Sequence, residues 1–354
     1  MVRKQTAARI NVVDLFCGVG GLTKGLTNAG LNVVAGIDVD PDCEYPFTAN
    51  NRAAFHLRDV AELDCSFVQS LFPEDGVRVL AGCAPCQPFS RYGRGAANRR
   101  SRWSLLQDFA RIAGEVRPDV ITMENVPEVL QHEVFDEFVL SLQSADYSVQ
   151  HNVLYCPEFG VPQQRKRLVL LASRFGPIQM PKPTYAPLNF KTVRDTIGEL
   201  PKISAGESDP RDGIHRACKL SDINLKRISA STPGGTWRDW PEELRAECHR
   251  ADSGETYPSV YGRMHWDAPA PTVTTQFFGF GNGRFGHPEQ NRAISLREGA
   301  MIQSFPKGYK FHAPRQRLSA QRLGKLIGNA VPVKLGEAIG RAIKKHLSQQ
   351  GLCR

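Results

Sequence analysis

Residues 10–28, INVVDLFCGVGGLTKGLTN, join a short apolar run to a glycine-rich turn and then to a stretch with helical spacing. The apolar run predicts a buried strand, and Leu22 to Asn28 predicts a helix. Glycines between a strand and a helix let the backbone approach a ligand at the helix N-terminus. Thr23 stands where a dinucleotide-binding G-x-G-x-x-G turn has its third glycine, so a dinucleotide is disfavoured.

The alternation of apolar runs and helical stretches continues to about residue 173 and predicts an α/β fold. The predicted strands are Ile10–Phe16, Val33–Val39, Val77–Ala81, Val120–Met123 and Leu168–Ala172. The predicted helices are Leu22–Asn28, Ser104–Val116 and Val134–Ser144. Such strand–helix units predict a doubly wound, mostly parallel sheet with ligand sites at the carboxyl ends of its strands.

Beyond Arg174 the composition changes, because prolines cluster and the stretch from Lys191 to about Gly286 is irregular and rich in glycine, proline, arginine and tryptophan. Helical spacing returns at Arg297–Gln303 and at Val333–His346. We therefore predict two domains. The first comprises residues 1–178 and is completed by 315–354, and residues 179–314 form a smaller, loop-rich domain and a hinge.

The chain has 354 residues and a formal net charge of +9, which favours association with a polyanion such as nucleic acid. Its nine cysteines are scattered without a regular framework, which is typical of a reducing compartment. No apolar run approaches the length of a membrane span. We expect a cytoplasmic protein without a membrane partner.

The stretch GCAPCQPFS, residues 82–90, places Cys86 between two prolines just after an apolar strand. A thiol in such a fixed turn is placed for nucleophilic attack. Arginines at 91, 94, 99, 100 and 102 follow, and nearby positive charge favours the thiolate. The alternative is a zinc or redox site at Cys83-x-x-Cys86, but no second pair with zinc spacing follows, so we expect no metal.

Two further groups of residues lie after predicted strands or lead into them. Glu124, in Met123-Glu124-Asn125-Val126-Pro127, is placed to donate a proton to a heterocycle nitrogen. Arg165 and Arg167, in QQRKRL at residues 163–168, are candidates to clamp a base, orient Glu124 or hold a phosphate. Each could instead be an ordinary strand-end or solvated charge.

Two acids follow the glycine turn in a pattern that favours an adenosyl ligand. Asp38 ends the next predicted strand, where an acid typically binds ribose hydroxyls. Asp59, in Arg58-Asp59-Val60, is a candidate acceptor for an adenine amino group. The alternative is a tight turn with surface acids.

Taken in order, these motifs resemble those of the cytosine-5 DNA methyltransferase family over nearly the whole chain. The turn from Asp14 to Leu22 is similar to the family's S-adenosylmethionine loop, and Pro85-Cys86-Gln87 to its nucleophile motif. Glu124-Asn125-Val126 and Gln163 to Arg167 match its acid and arginine motifs. Near the end of the chain, two stretches resemble the last two motifs of the family: Gln303-Ser304-Phe305-Pro306 and Gly328-Asn329-Ala330-Val331-Pro332. Cys17 replaces the alanine common in the first motif.

The resemblance implies a Rossmann-like methyltransferase sheet, with a target-recognition domain between about Lys191 and Arg284. It implies methyl transfer from S-adenosylmethionine, with S-adenosylhomocysteine as product, to carbon 5 of a flipped cytosine through a covalent cysteine adduct. Catalytic roles are implied for Cys86, Glu124, Arg165 and Arg167. Cofactor-binding roles are implied for Phe16, Gly18, Gly20, Gly21, Asp38, Asp59, Pro85 and Asn329.

Duplex DNA is the partner that the resemblance implies, and a paired restriction endonuclease and a monomeric state are expected of a bacterial or phage modification enzyme. Candidate DNA contacts are Gln87, Ser90, Arg91, Arg94, Arg227, Trp237, Arg238 and Arg263. The alternative substrate is tRNA, methylated by a related branch whose Cys-Phe-Thr signature is absent around Gln276–Phe278. A catalytically inactive DNA-binding relative is disfavoured, because every expected catalytic residue is present.

Overall fold

The computed structural model describes residues 8–85, 104–250, 259–316 and 319–353. The chain divides into two compact units. The first unit consists of Met1–Tyr155, Lys166–Pro183 and Val331–Arg354, and the second consists of Cys156–Arg165 and Thr184–Ala330. The domains expected from the sequence were defined by function as well as by position, and their boundaries stay a prediction.

The strands are β1 (Ile10–Leu15), β2 (Asn32–Asp38), β3 (Ala54–Leu57), β4 (Val77–Gly82), β5 (Val120–Asn125), β6 (Ser148–Tyr155), β7 (Gln163–Gln164), β8 (Lys166–Ser173), β9 (Ser208–Asp209), β10 (Asp212–Arg216) and β11 (Ala270–Pro271). The helices are α1 (Gly21–Asn28), α2 (Glu44–Asn50), α3 (Cys65–Ser70), α4 (Ser104–Val116), α5 (Glu133–Ser144), α6 (Val193–Ile197), α7 (Asp222–Ser229), α8 (Glu247–Arg250), α9 (Leu296–Ile302), α10 (Ala320–Asn329) and α11 (Val333–Gln349). Among the residues described, no helix is both long and apolar enough to cross a membrane.

A seven-stranded sheet in the order β3-β2-β1-β4-β5-β8-β6 forms the centre of the first unit. The five strands from β3 to β5 pair in parallel, whereas β8 is antiparallel to both of its neighbours. The strand order reverses between β1 and β4, which is the switch point at which doubly wound sheets bind ligands. The predicted α/β class with a mostly parallel sheet is confirmed.

The two strands of this sheet that the sequence did not predict, β3 and β6, lie at its two edges. Every residue of β1 and of β5 is buried, so these strands read as continuous apolar runs. In β3 no residue is fully buried, and in β6 the only buried residue is Leu154. An edge strand with one solvated face does not produce the apolar run on which the prediction relied.

The last helix packs against the first, so the two ends of the chain meet in the first unit. A Cβ placed on Gly25 of α1 would lie 2.4 Å from the Val333 carbonyl oxygen of α11. A Cβ on Gly336 would lie 3.1 Å from the Leu22 carbonyl oxygen. Glycine on both helices therefore lets their backbones touch, and α11 supports the helix that follows the glycine turn.

The second unit consists of short helices, paired strands of two to five residues and long connections. Its interior is held by buried polar groups as well as by aromatic rings. Arg292 is fully buried and makes two hydrogen bonds of 2.7 Å to the Glu298 carboxylate. Burial raises the pKa of Glu298, but Arg292, His287 and the Ser295 N–H together outweigh that effect and lower the pKa to about 2. The predicted loop-rich character is confirmed.

We predict that Gly25→Ala destabilises the protein, because the added methyl group would overlap the α11 backbone. Overpacking of this kind costs about 1–3 kcal/mol, which exceeds the gain of about 0.5–1 kcal/mol from replacing glycine in a helix. The matched control is Gly114→Ala in α4, where an added Cβ meets no heavy atom within 4 Å. Thermal unfolding should show a lower Tm for Gly25→Ala and an unchanged or higher Tm for Gly114→Ala. Equal shifts in the two variants would contradict the close contact.

Candidate active site

The turn between β1 and α1 presents backbone rather than side chains at the carboxyl end of the sheet. Gly18 and Gly20 have positive φ angles of 52° and 85°, which glycine adopts without steric cost. A Cβ on Gly18 would meet nothing within 4 Å, so open space lies beside the turn. Gly20 caps α1 and Gly21 is its first residue, so a ligand in this space faces the N-terminus of the helix.

Phe16 opens this turn in a strained conformation. Its φ of 57° is in the left-handed region, which costs a residue other than glycine about 1–3 kcal/mol. The side chain is half-buried and packs against the core of the first unit.

Asp38, at the end of β2, is fixed beside the glycine turn. Its Oδ2 accepts a hydrogen bond of 2.8 Å from the Gly18 backbone N–H, and its Oδ1 accepts one of 2.9 Å from Asp40. Burial raises the pKa of Asp38, and the two backbone N–H groups act against that rise. A carboxylate oxygen accepts more than one hydrogen bond, so this group fits a ribose hydroxyl.

Apolar surface and a further acceptor follow on the neighbouring strands. Val39, just after β2, is 63% exposed, and Leu57, at the end of β3, is 51% exposed, so two large apolar side chains face solvent here. Asp59 is half-buried, and its Oδ1 accepts a hydrogen bond of 2.9 Å from Ala61. Apolar side chains with a carboxylate nearby fit an adenine ring and its amino group. The first unit therefore carries groups suited to each part of an adenosyl ligand.

Asp14 ties β1 to the first turn of α1. Its Oδ2 accepts a hydrogen bond of 2.6 Å from the Thr23 hydroxyl. Burial raises the pKa of Asp14 to about 7, against the opposing effect of the Thr23 hydrogen bond and with a further rise from the charge of Asp38. The Asp14–Thr23 hydrogen bond spans the glycine turn and so holds its two ends together.

Glu124 is held at both of its carboxylate oxygens. It is 2% exposed in β5, and its Oε1 lies 2.9 Å from Nε of Arg167 in β8. Its Oε2 accepts a hydrogen bond of 2.9 Å from the Cys83 thiol, just after β4. The predicted pairing of one motif arginine with Glu124 is therefore present, and the arginine is Arg167.

The residue after Glu124 reaches the segment that leads to Cys86. Asn125 is buried, and its side-chain amide donates a hydrogen bond of 3.2 Å to the Ala84 carbonyl. Pro85 is exposed and is the last described residue of this segment. The predicted site residues Cys86, Gln87, Ser90, Arg91 and Arg94 lie outside the described residues.

Arg165 belongs to the second unit, although it is two residues from Arg167. It is 4% exposed, and it donates hydrogen bonds to the carbonyls of Val273 (2.9 Å) and Gly328 (3.2 Å). These contacts connect two parts of the second unit, so Arg165 has a structural role there, and its catalytic role stays a prediction. Asn329, also in the second unit, is exposed at the end of α10, and its cofactor role likewise stays a prediction.

Two of the four candidate DNA contacts in the second unit are interior residues. Arg263 is 4% exposed, and its guanidinium donates to backbone carbonyls that include those of Ile228 and His287, each at 2.7 Å. Trp237 is 3% exposed and stacks on His249 with ring centroids 4.4 Å apart. Burial makes these two side chains part of the packing of the unit, which corrects their assignment as surface contacts.

The other two candidates are accessible to different degrees. Arg238 is exposed, with its guanidinium 5.6 Å from the centroid of the Trp237 ring. Arg227 is half-buried and donates a hydrogen bond of 2.8 Å to the Leu244 carbonyl. Arg238 is thus the better placed of the pair for phosphate, and both DNA contacts stay predictions.

Sequence reasoning missed three kinds of residue at this site. Val39 was taken only as part of a strand, and Leu57 was assigned to no element. Thr23 was taken only as a departure from a glycine pattern, and Cys83 only as half of a possible metal pair. For Val39, its place at the carboxyl end of a predicted parallel strand was a usable signal. The partners of Thr23 and Cys83 depend on how the chain folds back.

Comparison with known proteins gives one consistent result. The sequence model of the C-5 cytosine-specific DNA methylase family matches residues 10–345. The Type II methylase M.HgiDII of Herpetosiphon aurantiacus is 52% identical, with 95% of this chain and 95% of that protein covered. The Type II methyltransferase M1.HphI of Haemophilus parahaemolyticus is 32% identical, with 95% and 87% covered.

A solved structure shares the fold. It is that of a putative DNA modification methyltransferase encoded within a prophage of E. coli, with a TM-score of 0.74 and 22% identity. The comparison covers 96% of this chain and 99% of that one. The Rossmann-like methyltransferase fold implied by the motifs is confirmed.

We predict that Asp14 makes the protein less stable as pH rises from about 4 to about 7. The pKa of the folded state, about 7, exceeds the ordinary value of 3.8, so over this interval the native state holds a proton that the unfolded chain has lost. At about 1.4 kcal/mol per pKa unit, the full effect is about 4 kcal/mol. In Asp14→Asn the decline should become markedly shallower, with the part due to Asp38 remaining, as measured by urea unfolding from pH 4 to pH 8.

The control for this experiment is Asp64→Asn. Hydrogen bonds from Ser66 lower the pKa of Asp64, so it stays ionised in both states over the interval. This variant should keep the slope of the wild type. If Asp14→Asn and the wild type gave parallel curves, Asp14 would not be the responsible group.

We also predict that Asp38→Ala weakens binding of S-adenosylmethionine by about tenfold or more. The substitution removes the acceptor for the Gly18 N–H and for a ribose hydroxyl, and hydrogen bonds to a charged group are worth about 1.5–3 kcal/mol. Calorimetric titration measures the change in Kd. Asp64→Ala is the matched control, since Asp64 also accepts a backbone hydrogen bond, from Ser66 at 2.9 Å, but caps α3. Wild-type affinity in Asp38→Ala would contradict the assignment.

Proposed function

The chain belongs to the C-5 cytosine-specific DNA methylase family, and from that premise we propose that it methylates carbon 5 of a cytosine within a defined sequence of duplex DNA. The observation that carries the proposal is the 52% identity to a Type II methylase over 95% of both chains. A net charge of +9 supports a polyanionic substrate. The family uses S-adenosylmethionine, and we propose that no metal takes part.

The residues of the site have distinct roles in this proposal. Carbon 5 of cytosine is a weak nucleophile. Attack by the Cys86 thiolate on carbon 6 moves the electron pair of the ring double bond to carbon 5, and Glu124 assists at the ring nitrogen. Arg167 holds the Glu124 carboxyl at 2.9 Å. S-adenosylmethionine supplies the methyl group that carbon 5 accepts. Loss of the proton from carbon 5 then restores the double bond as the sulfur–carbon bond breaks.

We assign the cofactor groups to the carboxyl ends of β1, β2 and β3 in the first unit. We assign the glycine turn to the close approach of the ligand, Phe16 and Val39 to apolar contact, Asp38 to the ribose and Asp59 to the adenine amino group. Glu124 is 2% exposed, so a base must leave the duplex to reach it. Flipping of the target cytosine into the site follows from that burial.

The biological setting follows from the relatives. Those described above are Type II methylases or methyltransferases, which favours a modification enzyme paired with a restriction endonuclease in the bacterial cytoplasm, where the chromosome lies. We propose that it acts as a monomer. The alternative substrate is tRNA, and an assay with both nucleic acids decides between them. Incorporation of labelled methyl groups into duplex DNA, with none into tRNA, is the expected result.

We predict that Cys86→Ser abolishes methyl transfer and leaves specific DNA binding intact. A hydroxyl is a far weaker nucleophile than a thiol near neutral pH. The measurements are single-turnover methylation of duplex DNA and a binding titration with the same duplex. The matched control is Cys83→Ser, which should keep its activity. Full turnover by Cys86→Ser would exclude the covalent route.

A further inference from the structure

We propose that the thiol of Cys83 is a positioning residue for Glu124, holding one oxygen of its carboxylate while Arg167 holds the other. This role rests on the proposed function, because it assumes that Glu124 acts on the cytosine ring.

The sheet brings Cys83 and Glu124 together. Gly82 of β4 pairs with Met123 of β5, so the residue that follows each of them lies at the same end of two neighbouring parallel strands. Cys83 is also fixed through its backbone, since its N–H donates a hydrogen bond of 3.3 Å to the Leu15 carbonyl of β1. The thiol therefore reaches Glu124 from a rigid position.

The chemistry of the two groups fixes the direction of their hydrogen bond. An ionised carboxylate only accepts, so at a distance of 2.9 Å the thiol of Cys83 donates to Oε2 of Glu124. Burial raises the pKa of Cys83 well above its usual value, and the charge of Glu124 raises it further. The thiol thus keeps its proton and remains a donor. It is not activated as a nucleophile.

The second oxygen is held from the opposite side of β5. Glu124 pairs with Val169 of the antiparallel strand β8, and Arg167 lies two residues earlier on that strand. Its Nε lies 2.9 Å from Oε1. With a hydrogen bond at Oε2 and an ion pair at Oε1, the carboxylate cannot rotate about its last bond without losing a contact. The orientation in which it meets the ring nitrogen is thereby fixed.

The test compares Cys83→Ala with Cys83→Ser. Alanine removes the donor, whereas serine keeps an O–H group in the same place. We expect Cys83→Ala to lower the single-turnover methylation rate about tenfold at saturating DNA and S-adenosylmethionine, with little change in KM, because the substitution removes a hydrogen bond to a charged group. The single-turnover methylation rate of Cys83→Ser should stay within about twofold of the wild-type rate. Cys65→Ala is the control, since Cys65 is a buried cysteine that contacts Arg111.

A double-mutant cycle with Glu124→Gln separates positioning from general loss of structure. If Cys83 acts through Glu124, adding Cys83→Ala to Glu124→Gln should cost much less than the tenfold seen in the wild type. Fully additive losses would overturn the proposal. So would a wild-type rate in Cys83→Ala, or an equal loss in Cys83→Ser and Cys83→Ala.

A second measurement does not depend on catalysis. Peptide mapping after alkylation with iodoacetamide reports how fast Cys83 reacts, and Glu124→Gln should speed that reaction because it removes the charge that opposes the thiolate. An unchanged alkylation rate would overturn the contact. If the wild-type protein methylated no DNA, the proposed function would be overturned, and the positioning role with it. The contact between Cys83 and Glu124 could still be confirmed by the alkylation result.

Discussion

Parallel pairing of β1, β4 and β5 is the constraint on which the rest of the site depends. Leu15 pairs with Gly82, and Gly82 pairs with Met123, so the residues that follow each of these meet at one end of the sheet. Phe16, Cys83 and Glu124 arrive there from positions more than forty residues apart along the chain. Buried strands with continuous apolar runs make this register hard to shift. The side chains at their ends are consequently held more firmly than loop residues would be.

The turn after β1 is supported from three directions. The Asp14–Thr23 hydrogen bond joins its two ends, Asp38 binds the Gly18 backbone, and α11 packs on α1 behind it. The last of these contacts requires glycine at Gly25, because any side chain there would meet the α11 backbone. Two regions at opposite ends of the chain thus build one half of the proposed cofactor site. Residues that look unconnected in the sequence contribute to the same turn.

The sequence alone predicted the central strands, the glycine turn and the place of Glu124 at a strand end. Strands buried on both faces appear as apolar runs, and an acid directly after such a run is easily recognised. The sequence was insufficient for β3 and β6, whose exposed faces interrupt the apolar run. It also placed Arg263 and Trp237 on the DNA surface, since residue type alone does not distinguish a guanidinium that binds phosphate from one that binds buried carbonyls. The role of Cys83 was missed for a related reason, since its partner is defined by strand register and not by neighbours in the sequence.

The central claim is that cytosine is methylated through a covalent adduct with Cys86, and a duplex carrying 5-fluorocytosine at the methylated position tests it most directly. The last step needs loss of a proton from carbon 5, and fluorine at that position cannot leave in the same way. The covalent adduct should therefore persist after methyl transfer. The account predicts a protein–DNA complex that survives denaturation and, after digestion, a peptide joined to the methylated base through Cys86. A duplex that is methylated normally but forms no such complex, or that is joined through another residue, would contradict the account.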